Sequence, residues 1–157
     1  AYELNQKKNN KIIAGGVWMK IGDRRIATAI DLSGLGLDQI TETDTEFVIG
    51  AMTTLREIEK HAGLAAYTDG AIRESVRHIV GVQFRNCATV GGSIFGHFGF
   101  SDVLTVFLAM DTQVELYHAG MVSLKEFIAC GKKADPHCLF KPAQHGYRFS
   151  GGCLCSV

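Results

Sequence analysis

The sequence is poor in proline and has no excess of either charge. Only two prolines occur among 157 residues, against eighteen glycines, and both prolines lie near the end of the chain. Sixteen basic residues balance sixteen acidic ones, so no overall positive field favours nucleic acid as a partner. Apolar runs are short: residues 106–110 form one of the longest, far below the length needed to cross a bilayer. We therefore expect no nucleic-acid partner and no membrane span.

Signals for secretion and for disulfide bonding are also lacking. No basic-then-apolar leader opens the chain. The cysteines number five, and all but Cys87 lie in the last part of the sequence. An odd count without a leader argues against a disulfide framework and predicts a reduced, cytoplasmic setting. Apolar residues make up 46% of the chain, enough for a folded domain or two small subdomains that share a core.

Short strands are predicted at four places. Residues 11–14 form an apolar segment that stops at two glycines, and residues 26–32 alternate before a turn-forming stretch. Residues 47–51 form a third apolar segment, and residues 112–117 alternate again. The pattern indicates a mixture of short strands and helices.

Capping boxes predict where two helices begin. Thr54 is followed three residues later by Glu57, and Ser123 is followed in the same way by Glu126. In such a box the hydroxyl accepts a hydrogen bond from a free amide and the carboxylate accepts one from the cap. We expect the first of these helices to end near residue 61, with Gly63 as its stop.

Two further helices are predicted from polar residues that precede apolar periodicity. Asp69 is expected to cap one of them, and Ser101 with Asp102 is expected to open the other. The expected buried face of the helix after Asp69 consists of Ile72, Val76, Ile79 and Val80.

Two glycine pairs are the strongest candidates for ligand binding. The pair at 15–16 follows a predicted strand, and the pair at 91–92 is flanked by the hydroxyls of Thr89 and Ser93. Consecutive amides in a glycine turn suit phosphate, because no Cβ blocks the approach. The alternative is that each pair is simply a tight turn. Neither pair completes the G-x-G-x-x-G dinucleotide fingerprint.

Several blocks, taken in order, resemble the flavin subunit of molybdenum hydroxylases. This is the FAD-binding domain of the medium subunits of xanthine dehydrogenase and carbon monoxide dehydrogenase. The resemblance runs from about residue 4 to about residue 128, and one block alone would be weak. The matching blocks are KIIAGG at 11–16, AIDLS at 29–33, IGAMTT at 49–54, QFRNCATVGGSI at 83–94 and the Ser-Asp pair at 101–102.

The resemblance implies the fold and its division. We expect an α+β protein, a PCMH-type FAD-binding domain of two small α+β lobes, one at 1–55 and one at 56–130. Residues 131–157 are expected to form an atypical tail, since they gain proline, cysteine and histidine and lose all periodicity. The family's C-terminal subdomain is expected to be missing.

The resemblance also implies the cofactor and its contacts. The cofactor would be FAD, with the first glycine loop on one side of its pyrophosphate and the second motif on the other. Asp102 would bind a hydroxyl of the ribityl or ribose part, or would act only as a helix cap. The implied cofactor-binding residues are Ala14, Gly15, Gly16, Val17, Trp18, Met19, Thr53, Thr89, Val90, Gly91, Gly92, Ser93 and Asp102.

Three residues depart from the family pattern. Val17 and Trp18 stand where the family usually has side-chain donors, so phosphate binding would depend more on the backbone. Ser93 stands where the family usually has the longer Asn.

Aromatic and thiol side chains near these loops have ordinary interpretations as well. Trp18 is interpreted as a core residue, and Phe95, Phe98 and Phe100 as core or interface residues or as neighbours of a flavin ring, with Phe98 left open. His97 is interpreted as a solvated loop residue rather than a cofactor ligand. Cys87 is interpreted as a buried small apolar residue.

The resemblance implies an oxidoreductase component without a catalytic residue of its own. Electrons would pass from iron–sulfur clusters through FAD to NAD or another acceptor. The implied partners are a molybdopterin-binding large subunit and a [2Fe–2S] small subunit of a xanthine- or purine-type dehydrogenase. Two alternatives remain: a stand-alone FAD reductase such as the one acting on enolpyruvyl sugar nucleotides, and a cofactor-free assembly module.

Two hypotheses concern the tail. One is that residues 131–157 come from an altered reading frame or a foreign terminus. The other is a zinc site, which the irregular spacing of its candidate ligands disfavours, so we expect no metal. Those candidates are Cys130, His137, Cys138, His145, Cys153 and Cys155.

Overall fold

The computed structural model describes residues 1–23, 25–117 and 119–130, together with the backbone of 147–150 and 155–156. Its secondary structure is a mixture of short helices and two sheets, as predicted. No described helix is long and apolar enough to cross a membrane.

The first sheet has two parallel strands. Strand β1 (Asn10–Ile13) pairs with β2 (Thr28–Asp31), and Ile12 lies opposite Ile30. Helix α1 (Tyr2–Asn5) precedes β1 and is tied to it, since the side-chain amide of Asn10 donates to the carbonyl oxygen of Leu4 at 2.7 Å. Strand β1 ends one residue before the first glycine pair, so the sheet positions that loop.

The second sheet contains the strands from the rest of the chain. Strands β3 (Ile40–Glu42) and β4 (Glu46–Ile49) are antiparallel neighbours, as are β5 (Thr112–Leu116) and β6 (Gly120–Ser123). The backbone segments β7 (Tyr147–Ser150) and β8 (Cys155–Ser156) pair with both β4 and β5.

Seven helices among the described residues accompany the second sheet. Their apolar side chains form one core with Phe47 and Ile49 of β4 and Val114 and Leu116 of β5, to which α5 adds only the partly buried Phe84. The helices are α2 (Leu55–Lys60), α3 (Ala62–Tyr67), α4 (Ala71–Arg77), α5 (Val82–Cys87), α6 (Val90–Phe95), α7 (Asp102–Ala109) and α8 (Leu124–Ala129).

Both predicted capping boxes are confirmed. The Thr54 hydroxyl accepts from the amide of Glu57 at 3.2 Å, and the Glu57 carboxylate accepts from the amide of Thr54 at 2.7 Å. Ser123 and Glu126 repeat this exchange at the start of α8. Each pair satisfies amides that the first helical turn leaves without partners.

The predicted end of α2 near residue 61 is confirmed, since the helix ends at Lys60 with His61 as its C-cap. Gly63 as its stop and Asp69 as the cap of α4 are wrong. The chain does not stop at Gly63, because the ring of His61 accepts from the amide of Leu64 and starts α3. Gly63 lies inside that helix, where a Cβ would collide with the carboxylate of Glu42. Helix α4 starts after Gly70, which has a φ of 81°, and Asp69 provides no cap bond.

The apolar face predicted for α4 is correct except at its end. Ile72 and Val76 are fully buried, whereas Val80 is 80% exposed with a φ of 50°. Val80 follows the last helical turn, so the 3.6-residue period no longer applies to it.

The two sheets divide the chain earlier than the predicted lobes do. The strand pairing changes between Asp31 and Ile40, and β4 already belongs to the core of the second sheet. The lobe boundary at residue 55 stays a prediction. Most of the tail lies outside the described residues, and so do most of the candidate zinc ligands.

Candidate cofactor site

The first glycine loop presents a row of unengaged amides. It leaves β1 at Ala14, and Gly16 adopts a φ of 67° that a residue with a side chain rarely adopts. Among the described residues, none accepts a hydrogen bond from the amides of residues 15–18. The carbonyl of Gly16 is engaged, since it accepts from Lys20 at 3.2 Å. Such a turn offers donors to an anion without the cost of breaking internal bonds.

This loop lies directly against the segment that leads into the second glycine pair. A Cβ on Gly15 would overlap the carbonyl oxygen of Cys87. A Cβ on Gly92 would lie 3.9 Å from the Cβ of Ala14. The structure therefore brings the two predicted loops together, and glycine at position 15 is what permits the contact.

The second glycine pair is helical rather than a turn. Thr89 caps α6, and its hydroxyl accepts from the amide of Gly92 at 3.2 Å. The amides of Val90 and Gly91 donate to the carbonyls of Thr53 and Ala51 at 2.9 and 3.0 Å. These amides are engaged within the protein, so the second motif is not an open anion nest in this structure.

Two predicted ligand contacts act inside the fold. Thr53 is fully buried, and its hydroxyl donates to the carbonyl oxygen of Gln39 at 3.3 Å. The hydroxyl of Ser93 donates to the carbonyl oxygen of Thr89 at 2.9 Å. The first bond ties Thr53 to the residue just before β3, and the second lies within the first turn of α6. Val90 is also fully buried, as part of the core.

Asp102 is the exposed acid of the region. Ser101, rather than Asp102, caps α7, since its hydroxyl accepts from the amide of Leu104 at 3.2 Å. Within the described part of the chain, no donor reaches the Asp102 carboxylate. Asp102 lies in the first turn of α7, where a negative charge is favoured, and its oxygens remain available to hydroxyl donors.

Aromatic rings connect the first loop to the segment before Asp102. The ring of Trp18 lies 5.0 Å from that of Phe98 and 6.3 Å from that of Phe100, and Phe98 stacks on Phe100 at 5.2 Å. Trp18 is 53% exposed, so its interpretation as a core residue is wrong.

The family model for the FAD-binding domain in molybdopterin dehydrogenase matches residues 1–137. The chain belongs to this family. It is an FAD-binding domain of the molybdenum hydroxylase type, and FAD is the family's cofactor. No curated protein matches the sequence.

Solved structures have the same fold as this FAD-binding domain. Quinoline 2-oxidoreductase from Pseudomonas putida 86 is 21% identical with a TM-score of 0.69, over 80% of this chain and 46% of that one. Reconstituted CO dehydrogenase from Oligotropha carboxidovorans is 29% identical with a TM-score of 0.67, over 77% and 45%. The Hydrogenophaga pseudoflava CO dehydrogenase is 24% identical with a TM-score of 0.68, over 80% and 47%. The chain thus spans under half the length of these neighbours.

Two side chains beside the FAD-binding domain's loops differ from their sequence interpretation. Cys87 is exposed rather than buried, because it ends α5 with its carbonyl, not its thiol, against Gly15. His97 is half-buried rather than solvated, and its ring packs edge-on against Phe127 at 4.9 Å.

An ion pair that the sequence does not predict links α2 to α5, the helix that precedes the second motif. Arg85 is buried and donates to the carboxylate of Glu59 at 2.8 Å and to the carbonyl of Ile79 at 3.1 Å. Burial raises the pKa of Glu59, but hydrogen bonds from Arg56 and Arg85 outweigh it and hold that pKa below its ordinary value. The sequence carries no signal for this pair, because the burial of Arg85 shows only in the folded chain, where an arginine is rarely buried unless it is paired.

Clusters of metal-ligating side chains do not occur among the described residues of the FAD-binding domain. The expectation of no metal site stays a prediction.

Proposed function

We propose that this FAD-binding domain holds the FAD pyrophosphate on the first loop and a cofactor hydroxyl on Asp102. The observation that carries the proposal is the row of unengaged amides at residues 15–18. Unlike the amides of the second motif, these amides can donate to a phosphate without first breaking a hydrogen bond within the described protein. Ala14 and Met19 lie at the two ends of this loop and complete the contacts predicted for it.

The second motif has a supporting part in this proposal. Gly92 lies next to Ala14, and the backbone of Cys87 and Ala88 lies next to Gly15, so this segment limits where the first loop can lie. The engaged amides of the second motif would have to exchange partners before they could bind phosphate directly. We therefore expect Thr89, Gly91, Gly92 and Ser93 to affect FAD chiefly through the shape of the loop.

The equal numbers of basic and acidic residues are compatible with phosphate binding by backbone amides. A backbone nest supplies positive potential without a basic side chain, so the net charge of zero is no obstacle to an anionic cofactor. When bound, FAD supplies the redox chemistry, and the protein supplies orientation and hydrogen bonding.

The wider function is proposed from the family. We infer an electron-transfer component that receives electrons from a [2Fe–2S] partner, itself served by a molybdopterin-binding subunit, and passes them to NAD or another acceptor in the cytoplasm. Similarity to Cu,Mo-CO dehydrogenase at 29% identity supports a molybdenum-dependent complex. A xanthine- or purine-type substrate is the proposed specificity.

Calorimetric titration of the full chain with FAD tests the proposal. We expect binding near one FAD per chain, and competition by pyrophosphate, because the loop recognises the phosphates. Competition by pyrophosphate separates loop binding from adventitious adsorption of the flavin ring. A folded chain that takes up no FAD would instead support the alternative of a cofactor-free assembly module.

A further inference from the structure

The three rings of Trp18, Phe98 and Phe100, here called the aromatic cluster, form an apolar surface that the core does not use. Trp18 is 53% exposed and Phe100 is 70% exposed. Phe98 lies between them and within stacking distance of both. Large aromatic rings left this open next to a binding loop indicate a contact with another flat group.

The local structure holds the cluster in place. The amide of Ser101 donates to the carbonyl oxygen of Phe98 at 3.0 Å, which closes a turn around Phe100. A Cβ on Gly96 would lie 2.7 Å from the ring of Phe98, so glycine there lets the ring fold back beside the end of α6. The rings therefore have a defined arrangement before any ligand arrives.

The position of the cluster matches the parts of a nucleotide. Trp18 belongs to the loop whose amides donate to none of the described residues, and Phe100 lies two residues before Asp102, whose carboxylate no described donor reaches. Phosphate donors, a hydroxyl acceptor and a ring surface thus lie along one connected stretch of surface. A ligand with a phosphate, a sugar and a planar ring contains the same three parts.

We propose that the aromatic cluster stacks on a planar heteroaromatic ring of the bound dinucleotide. This inference rests on the proposed function, because it requires the pyrophosphate to lie on the first loop. Adenine and isoalloxazine both have a π-face on which an aromatic side chain can stack. Either ring of FAD therefore meets the requirement. Which ring stacks determines which half of the cofactor lies on the aromatic cluster.

Substitution of Phe100 tests the contact without disturbing the core. In the full chain, affinities for inorganic pyrophosphate, ADP, FMN and FAD are measured for the wild type, Phe100→Ala and Trp18→Leu. ADP and FMN, which stand for the two halves of FAD, serve as half-ligands. Both variants should bind FAD and one of the half-ligands about tenfold more weakly. Pyrophosphate should bind unchanged. Met121→Ala, which removes another exposed apolar side chain (44% exposed), should bind every ligand as the wild type does.

The chain's single tryptophan gives a second readout. The half-ligand that stacks on the cluster should protect Trp18 emission from quenching by acrylamide, and pyrophosphate should not. Weakened ADP binding identifies the adenine ring, and weakened FMN binding identifies the isoalloxazine. FAD binding that is unchanged in both variants overturns the ring contact alone. A wild-type chain that binds none of the four ligands overturns the proposed function together with it.

Discussion

Gly15 is the residue at which the first loop meets the second motif. Any larger residue would push the loop away from the carbonyl of Cys87. The amides of residues 15–18 would move with it. At this position, cofactor binding and packing depend on the same absent side chain.

Gly15→Ala should therefore weaken FAD binding at least tenfold and destabilise the fold by about 2 kcal/mol, because a Cβ there overlaps backbone that cannot shift freely. Calorimetric titration gives the affinity and urea unfolding gives the stability. Gly34→Ala is the matched control, since a Cβ at Gly34 meets nothing within 4 Å. Equal behaviour of the two variants would show that the contact at Gly15 is unimportant.

Substitution of Asp102 distinguishes an effect on FAD binding from an effect on stability. Asp102→Asn keeps the size of the side chain but removes the charge that makes the strong hydrogen bonds to sugar hydroxyls. We expect FAD to bind about tenfold more weakly, with the urea midpoint nearly unchanged, because Ser101 keeps the cap of α7. If FAD affinity stays the same, Asp102 serves the helix dipole only.

At the scale of single residues, the sequence predicts which residues could bind a ligand better than it predicts which side chains are exposed. The glycine pair at 15–16 was recognisable because it follows a strand, and loop and strand signals are local. The helical state of Gly91 and Gly92 was not recognisable, because glycine is a poor helix former and long-range contacts decide its state. The exposure of Trp18 is not predictable from the sequence for a similar reason, since the exposure of a large ring depends on which other residues cover it.

Helix α6 is the element on which the site rests. Its cap Thr89, its neighbour Thr53 and the adjacent loop residue Ala14 converge on its first turn. Local cap signals were sufficient to predict α2 and α8. They were insufficient for α6, whose first amides are satisfied by carbonyls of Thr53 and Ala51, far away in sequence.

Thr89→Ala removes the cap of α6 and should destabilise the fold by about 1 kcal/mol. FAD affinity should fall with it, because the first loop lies against this turn. Thr89→Ser keeps the hydroxyl and should recover most of both quantities. Thermal unfolding with and without FAD measures them together, and a Ser variant as weak as the Ala variant would contradict a role through the hydroxyl.

The ion pair between Glu59 of α2 and Arg85 of α5 links two helices behind the second motif. Arg85→Met leaves the largely buried carboxylate of Glu59 with only Arg56 and should cost about 3 kcal/mol. Arg77→Met is the control, because its pair with Glu74 is about half exposed on both sides and should cost under about 0.5 kcal/mol.

The same pair predicts a pH dependence. The pKa of Glu59 is lower in the folded chain than its ordinary value of 4.5. Its contribution to the free energy of unfolding is therefore complete above pH 4.5 and is lost as the pH falls through the lowered pKa. Urea midpoints between pH 7 and pH 3 should fall more steeply for the wild type than for Arg85→Met. Parallel curves would contradict the assignment.

At the scale of the whole molecule, the order of blocks carried the identification. Each block alone is a common turn or strand, but their sequence from residue 11 to residue 102 was enough to predict the family and an α+β fold. What the order could not predict is which strands share a sheet, because β3 and β4 join the second sheet through contacts distant in the chain. The sheet boundary between Asp31 and Ile40 is such a long-range outcome.

The central claim is that the first loop binds the pyrophosphate of FAD through its backbone. The most direct measurement is the backbone amide spectrum of the isotopically labelled full chain, recorded by NMR as FAD is added. We predict that the amides of residues 15–18 show the largest downfield shifts and that pyrophosphate alone reproduces them. The amides of Val90 and Gly91, which remain bonded to Thr53 and Ala51, should move much less. Shifts confined to residues 90–93, or no shift on saturation with FAD, would contradict the account.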